Sequence, residues 1–130
     1  MISARAFAVW LVIIAAETCH GILRNIFLAP ITGDFRARQI AVFTGTFLIL
    51  SISLLFIKWV KFLSKSDLLA IGFFWVCLTF IFEISLGRLL GFSWSRILSD
   101  YNLLKGGLLP VGLLLMLLSP FIAAKIRKLI

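Results

Sequence analysis

The chain has 130 residues, of which 62% are hydrophobic and only 14% charged. A soluble domain is roughly 45–50% apolar and buries only about 70% of its surface at ~150 residues, so a water-soluble globular fold is excluded, as is low-complexity disorder. The 13 Lys and Arg outnumber the 5 Asp and Glu to give +8, but they form no nucleic-acid stripe, and the excess reads as membrane topology and contact with anionic lipid.

Four apolar stretches predict membrane helices at about 6–28, 39–60, 68–90 and 106–124. Each is long enough to cross ~30 Å of hydrocarbon. Helix is the only state that satisfies its own backbone in lipid, because four strands cannot close a barrel. The expected fold is therefore all-α, one membrane four-helix bundle over residues 1–130. The leading MISARAFAVWLVIIAA has the outline of a signal peptide. Glu17 would follow its cleavage point and AETC is a poor lipoprotein box, so the stretch reads as the first span.

The second half of that span carries AETCHGILR, residues 16–24. On a helix Glu17, His20, Gly21 and Arg24 fall at i, i+3, i+4 and i+7 and share one face. An ionisable group at membrane depth costs about 2.5–3.5 kcal/mol or more, so it faces the bundle interior and is paired. Two readings stand: a polar clamp locking the first and third spans, and a binding or transfer site. Glu-x-x-His is the half-motif of di-iron bundles, but one His and two membrane Glu residues do not complete such a site. A single metal on Glu17, His20 and Glu83 is a minor option; no metal or cofactor is expected. Cys19 and Cys77 form no CxxC pair and read as small buried hydrophobes.

Pro30 and Gly33 mark residues 29–38 as a turn. The Lys-bearing connection at 61–67 reads as a solvated loop. In the third span Glu83, Gly87 and Leu90 share a face, and Gly87 with Gly91 has the GxxxG spacing of close helix contact. The connection around 92–102 holds Trp94 and Tyr101, expected as interfacial aromatics. Pro110 and Pro120 predict a fourth helix that kinks or begins late. Its Leu-rich end reads as a lipid- or oligomer-facing surface.

Arg5, Lys58, Lys61, Lys65, Lys125, Arg127 and Lys128 fall on one side. Arg24, Arg36, Arg38, Arg88, Arg96 and Lys105 fall on the other. The totals barely discriminate, but the Lys-rich side is the expected cytoplasmic one, with both termini inside. Arg mixed with Asp34 and Asp100 points to an anion or headgroup site at the membrane surface, since the guanidinium fork binds phosphate and carboxylate. The competing reading is interfacial snorkelling with local salt bridges.

Sliding the chain by 66 residues lays Glu17 on Glu83, Gly21 on Gly87 and Asp34 on Asp100. This predicts two tandem helical hairpins, 1–64 and 67–130, related by an axis along the membrane normal. His20 and Arg24 fall on Leu86 and Leu90, so the chemistry is not repeated.

ETCHGILR with GDFRARQI, and FEISLGRLLGFSWSRILSDYN with GGLLPVGLLL, resemble a family of small bacterial four-helix membrane proteins. The resemblance spans most of the chain. It implies four spans and carries no activity, substrate or partner.

The expected function is an oligomeric transporter or channel handling an ion, an anionic solute or a lipid headgroup. Glu17, His20, Arg24, Glu83 and Arg88 would form its polar seam. Asp34, Arg36, Arg38, Arg96 and Asp100 would gather charge at the surface. One alternative is an accessory or structural subunit of a membrane complex. Another is a lipid-modifying enzyme with His20 and Glu17 carrying protons; GxSxG, HExxH, P-loop and GxGxxG patterns are all missing. The expected partners are membrane lipids and a second copy or larger complex, not nucleic acid, in the bacterial inner membrane.

Overall fold

The computed structural model describes residues 4–60, 62 and 64–129. Among these, all regular structure is helical: α1 (Ala4–Leu23), α2 (Ala29–Thr32), α3 (Asp34–Val60), α4 (Lys65–Leu89), α5 (Trp94–Ser99) and α6 (Leu109–Ile126). Four rods are long and apolar enough to cross a membrane: Ala4–Thr32, Asp34–Val60, Lys65–Leu89 and Leu109–Ile126. The fold is an all-α bundle of four such helices.

Their ends depart from the expected ones. The chain does not turn over 29–38; it stays helical through Pro30 and reverses at Gly33 alone. Pro30 lacks the N–H that a regular helix would donate four residues back. A π-turn, Arg24–Leu28, precedes it and shifts the register, so that the Ala29 N–H reaches the Arg24 carbonyl. Gly33 then takes φ 91°, a conformation that only glycine adopts freely. Asp34 opens α3 at once, its carboxylate in the first turn where the helix dipole favours it.

The connection before α5 is also more than a loop. Ser93 caps α5 by accepting from the Arg96 N–H, and Ile97 is buried against Gly87. Gly87 thus serves α5 rather than a helix crossing, and Gly91, at φ 83°, lies just past the end of α4. The close crossing lies elsewhere. A Cβ on Gly72 would fall 1.9 Å from the Leu117 carbonyl oxygen, so α4 and α6 touch backbone to backbone there. Lys61, counted on the Lys-rich side, lies outside the described residues.

The ring order is α1, α3, α6, α4. Helices α1–α3, α3–α6 and α6–α4 pack extensively, whereas α1 and α4 touch little. α6 begins late, at Leu109 with Pro110 in its first turn, and runs on through Pro120. It buries Met116, Ser119, Pro120, Ala123 and Ala124 between α3 and α4. Its leucines are half-buried or, at Leu114, exposed, so the Leu-rich face is turned outward at least in part. Cys19 and Cys77 are exposed on the outer faces of α1 and α4, contrary to expectation.

The bundle is dense in one half only. Trp10, Ile13, Trp75 and Met116 centre one cluster, and Ile57, Leu68, Ala123 and Ala124 form another. At this end Arg5 and Arg127 donate to the Trp59 and Leu54 carbonyls near the end of α3, where a helix C-terminus favours cations.

Candidate functional site

The other half of the bundle is hollow. A cavity of about 420 Å³ runs from a charged mouth down to Ile14, Ile49, Thr79 and Met116. From Ile14 to Arg24 is ten residues of helix, ~15 Å at 1.5 Å per residue. That is about half of a ~30 Å hydrocarbon layer. The floor is closed by hydrogen bonds: Trp10 Nε1 donates to Thr79 Oγ1 (3.0 Å), whose hydroxyl lies 3.3 Å from Met116 Sδ. Trp75 Nε1 donates to the Ala6 carbonyl beneath (2.9 Å).

At the mouth, the first turns of α3 meet α5. Arg38 reaches Asp100 at 2.6 Å and Asp34 at 3.1 Å, and Arg96 reaches Asp34 at 3.1 Å. Arg38 also donates to Ser99 Oγ (3.3 Å), and Gln39 Nε2 donates to the Gly106 carbonyl (2.7 Å). The guanidinium planes rest on rings, Arg38 over Phe35 and Arg96 over Phe92. Burial pushes the Asp100 carboxyl up, and the Arg38 guanidinium beside it pulls it down in part. Burial, with Glu83 and Asp100 nearby, pushes the Tyr101 phenol up to about 12. Tyr101 is thus a neutral O–H donor at ordinary pH. It lines the cavity and packs on Phe80.

Deeper, Glu17 projects from α1 onto Gly45 of α3. A Cβ there would lie 2.8 Å from Glu17 Oε2, so glycine makes the seat for the carboxylate. Glu17 Oε2 lies 3.8 Å from His20 Nδ1, and Oε1 has no hydrogen-bond partner. His20 Nε2 is 2.6 Å from Thr44 Oγ1, joining α1 to α3. Any clamp made by this stripe therefore ties the first span to the second, not to the third. Across the cavity, Glu83 of α4 has no hydrogen bond or ion pair among the described residues, yet it interacts electrostatically with Arg24 and Glu17. Arg24 Nε and the Tyr101 hydroxyl are buried and unpartnered.

Glu17, His20, Arg24, Arg38, Glu83, Arg96 and Asp100 all line the cavity, and Asp34 ties their mouth together. Arg88 is not on the wall: it donates to the Phe92 carbonyl and stacks on Trp94. Arg36 is exposed and away from it. Gln39, Gly45 and Thr46 line the wall without having been expected there. Their signal was the helical spacing of Phe35, Gln39, Val42, Thr46 and Ile49 along one face of α3. Among the described residues no three His, Cys, Asp or Glu side chains gather closely enough to hold a metal ion. The Glu17–His20–Glu83 arrangement does not make such a group.

No family model matches the chain, and comparison with curated proteins and with solved structures gives no match either.

Proposed function

We propose that this protein is a small membrane carrier that takes a charged polar group into its half-membrane cavity from the Arg-rich side. The carrying observation is that Glu17, Arg24, Arg38 and Tyr101 line one void and leave polar atoms unpartnered there, with the Glu83 carboxylate on the same wall. Charged groups at membrane depth are costly unless paired. A guest that supplies the missing partners accounts for them; a packing clamp would have paired them with each other. The volume lies within the ~300–1,000 Å³ of small-molecule sites.

The closed floor argues against an open pore. Passage requires a change in which Trp10 leaves Thr79, or a second copy that completes the path. In this reading the Lys-rich end faces the cytoplasm of a bacterial inner membrane, and the two hairpins descend from a duplicated ancestor. The accessory-subunit reading lacks a feature of comparable weight, and the enzyme reading has only the contact of His20 with Thr44 and Glu17, of which Thr44 lies off the cavity wall.

Native mass spectrometry of the detergent-purified protein tests the proposal. One bound lipid or solute per chain is expected, lost in Arg24→Gln while circular dichroism stays unchanged. A bare wild-type protein, whose vesicles also pass no more labelled phospholipid or anion than protein-free vesicles, overturns it.

A further inference from the structure

Resting on the carrier reading, we propose that the guest is a bilayer lipid whose headgroup carries both a phosphate and a primary amine, and that it enters sideways between α1 and α4. The first support is the shape of that seam. α1 and α4 meet only low in the bundle, where Trp75 bonds Ala6, Trp10 bonds Thr79, and Phe7 and Trp10 touch Phe74 and Phe82. Above this no hydrogen bond or ring contact joins the two helices among the described residues. A Cβ on Gly21 would meet nothing within 4 Å, although Gly21 lines the cavity. Ile22 and Leu90 line the same cavity yet are 53% and 61% exposed, so they form the lips of an opening toward lipid. A headgroup enters there while its acyl chains stay in the bilayer.

The second support is charge. In the mouth network Asp34 and Asp100 are held by Arg38 and Arg96, with Arg38 Nε left over. The unpartnered atoms on the wall are Arg24 Nε, Arg38 Nε and the Tyr101 hydroxyl as donors and Glu17 Oε1 as acceptor, and the Glu83 carboxylate faces the same cavity. A phosphate suits the donors, because a guanidinium and a neutral hydroxyl both bond anionic oxygen. A pure anion would then face two carboxylates. An ammonium group a few bonds away satisfies them instead, as in a phosphoethanolamine headgroup.

The test uses the full chain in detergent, delipidated and titrated with phosphatidylethanolamine, phosphatidylglycerol or water-soluble glycerophosphoethanolamine, and read by native mass spectrometry. The amine lipid is expected to bind about tenfold more tightly than the glycerol lipid, one charge-assisted pair's worth. The soluble headgroup, lacking the bilayer route, is expected not to bind at the same concentrations. Glu83→Gln should erase the preference between the two lipids. Gly21→Phe should fill the seam and abolish lipid binding with helicity unchanged. If it does not fold, Ile22→Trp on the exposed lip carries the same expectation. Equal binding of the two lipids, or binding untouched by the seam variants, overturns this inference and leaves the carrier reading standing if Arg24→Gln still releases the guest. Binding of none of the three probes, by a wild-type protein that also retains nothing on purification, sinks both.

Discussion

Tyr101 is the chain's single tyrosine, which makes its environment measurable in isolation. Burial and the neighbouring Glu83 and Asp100 push its phenol from the ordinary 10 up to about 12. The folded state therefore keeps a proton that the unfolded state loses between these values. The stability tied to Tyr101 is fully present below pH 10 and is lost as the pH rises through 12. Ultraviolet titration of tyrosinate is expected to show a midpoint near 12 in the folded protein and a return toward 10 after unfolding. Glu83→Gln, which removes one of the two carboxylates, should bring the folded midpoint part of the way down. An ordinary midpoint in the folded wild type would mean that Tyr101 sits in water and not on the cavity wall. Gly45 offers a second local test. Gly45→Ala should displace the Glu17 carboxylate, which lies 2.8 Å from where that Cβ would be, and so weaken guest binding in the direction of Glu17→Gln.

At the scale of elements, the decisive contact is between the first turns of α3 and the short helix α5. Arg38 is only 11% exposed and holds Asp100, itself 26% exposed, at 2.6 Å. Arg38→Gln leaves that half-buried carboxylate without its cation, so a loss of about 1–3 kcal/mol is expected. Arg96→Gln breaks a contact to Asp34, which is 46% exposed, and should cost ~0–1 kcal/mol, as exposed ion pairs do. Denaturation midpoints of the two variants should therefore separate; equal losses would show that the network has no buried member. The residues of this contact were legible in the sequence as Arg and Asp sharing one side of the membrane. Their pairing was not, because residues 34–38 and 96–100 are distant in the chain and α5 is too short to display a 3.6-residue period. The Pro30 turn was misread for a related reason. Proline signals a break, and the π-turn that lets a helix pass it involves Arg24–Leu28, which look like ordinary helix formers.

The whole molecule is a bundle packed in one half and hollow in the other, with the division at Ile14, Ile49, Thr79 and Met116. The four spans were legible from hydropathy alone. The division was not, since apolar residues line both halves; the Glu17, His20, Arg24 stripe, Glu83 and the Arg set with Asp34 and Asp100 marked one end as polar without showing that it is hollow. The close packing of α4 on α6 follows from Gly72 meeting the Leu117 carbonyl, and nothing in the spacing of the glycines distinguished Gly72 from Gly87 and Gly91. A blind, water-reachable cavity inside a membrane makes a three-way pattern that no other arrangement gives. Take α3 in a Cys19→Ser, Cys77→Ser background and add a charged, membrane-impermeant thiol reagent from the Arg-rich side. Thr46→Cys lies on the cavity wall and should label. Phe47→Cys sits one residue on, at a position 72% exposed in the bare protein, and should not label because lipid covers it. Ser53→Cys lies below the floor at a position 1% exposed and should not label either. Reagent added from the Lys-rich side should reach none of the three. Labelling at Ser53→Cys would mean an open path past Trp10, and the chain would then be a pore. Labelling at Phe47→Cys would put the outer face of α3 in water and remove the membrane from the argument. Silence at Thr46→Cys would mean that the cavity is closed to the Arg-rich side, leaving the seam between α1 and α4 as its one opening among the described residues.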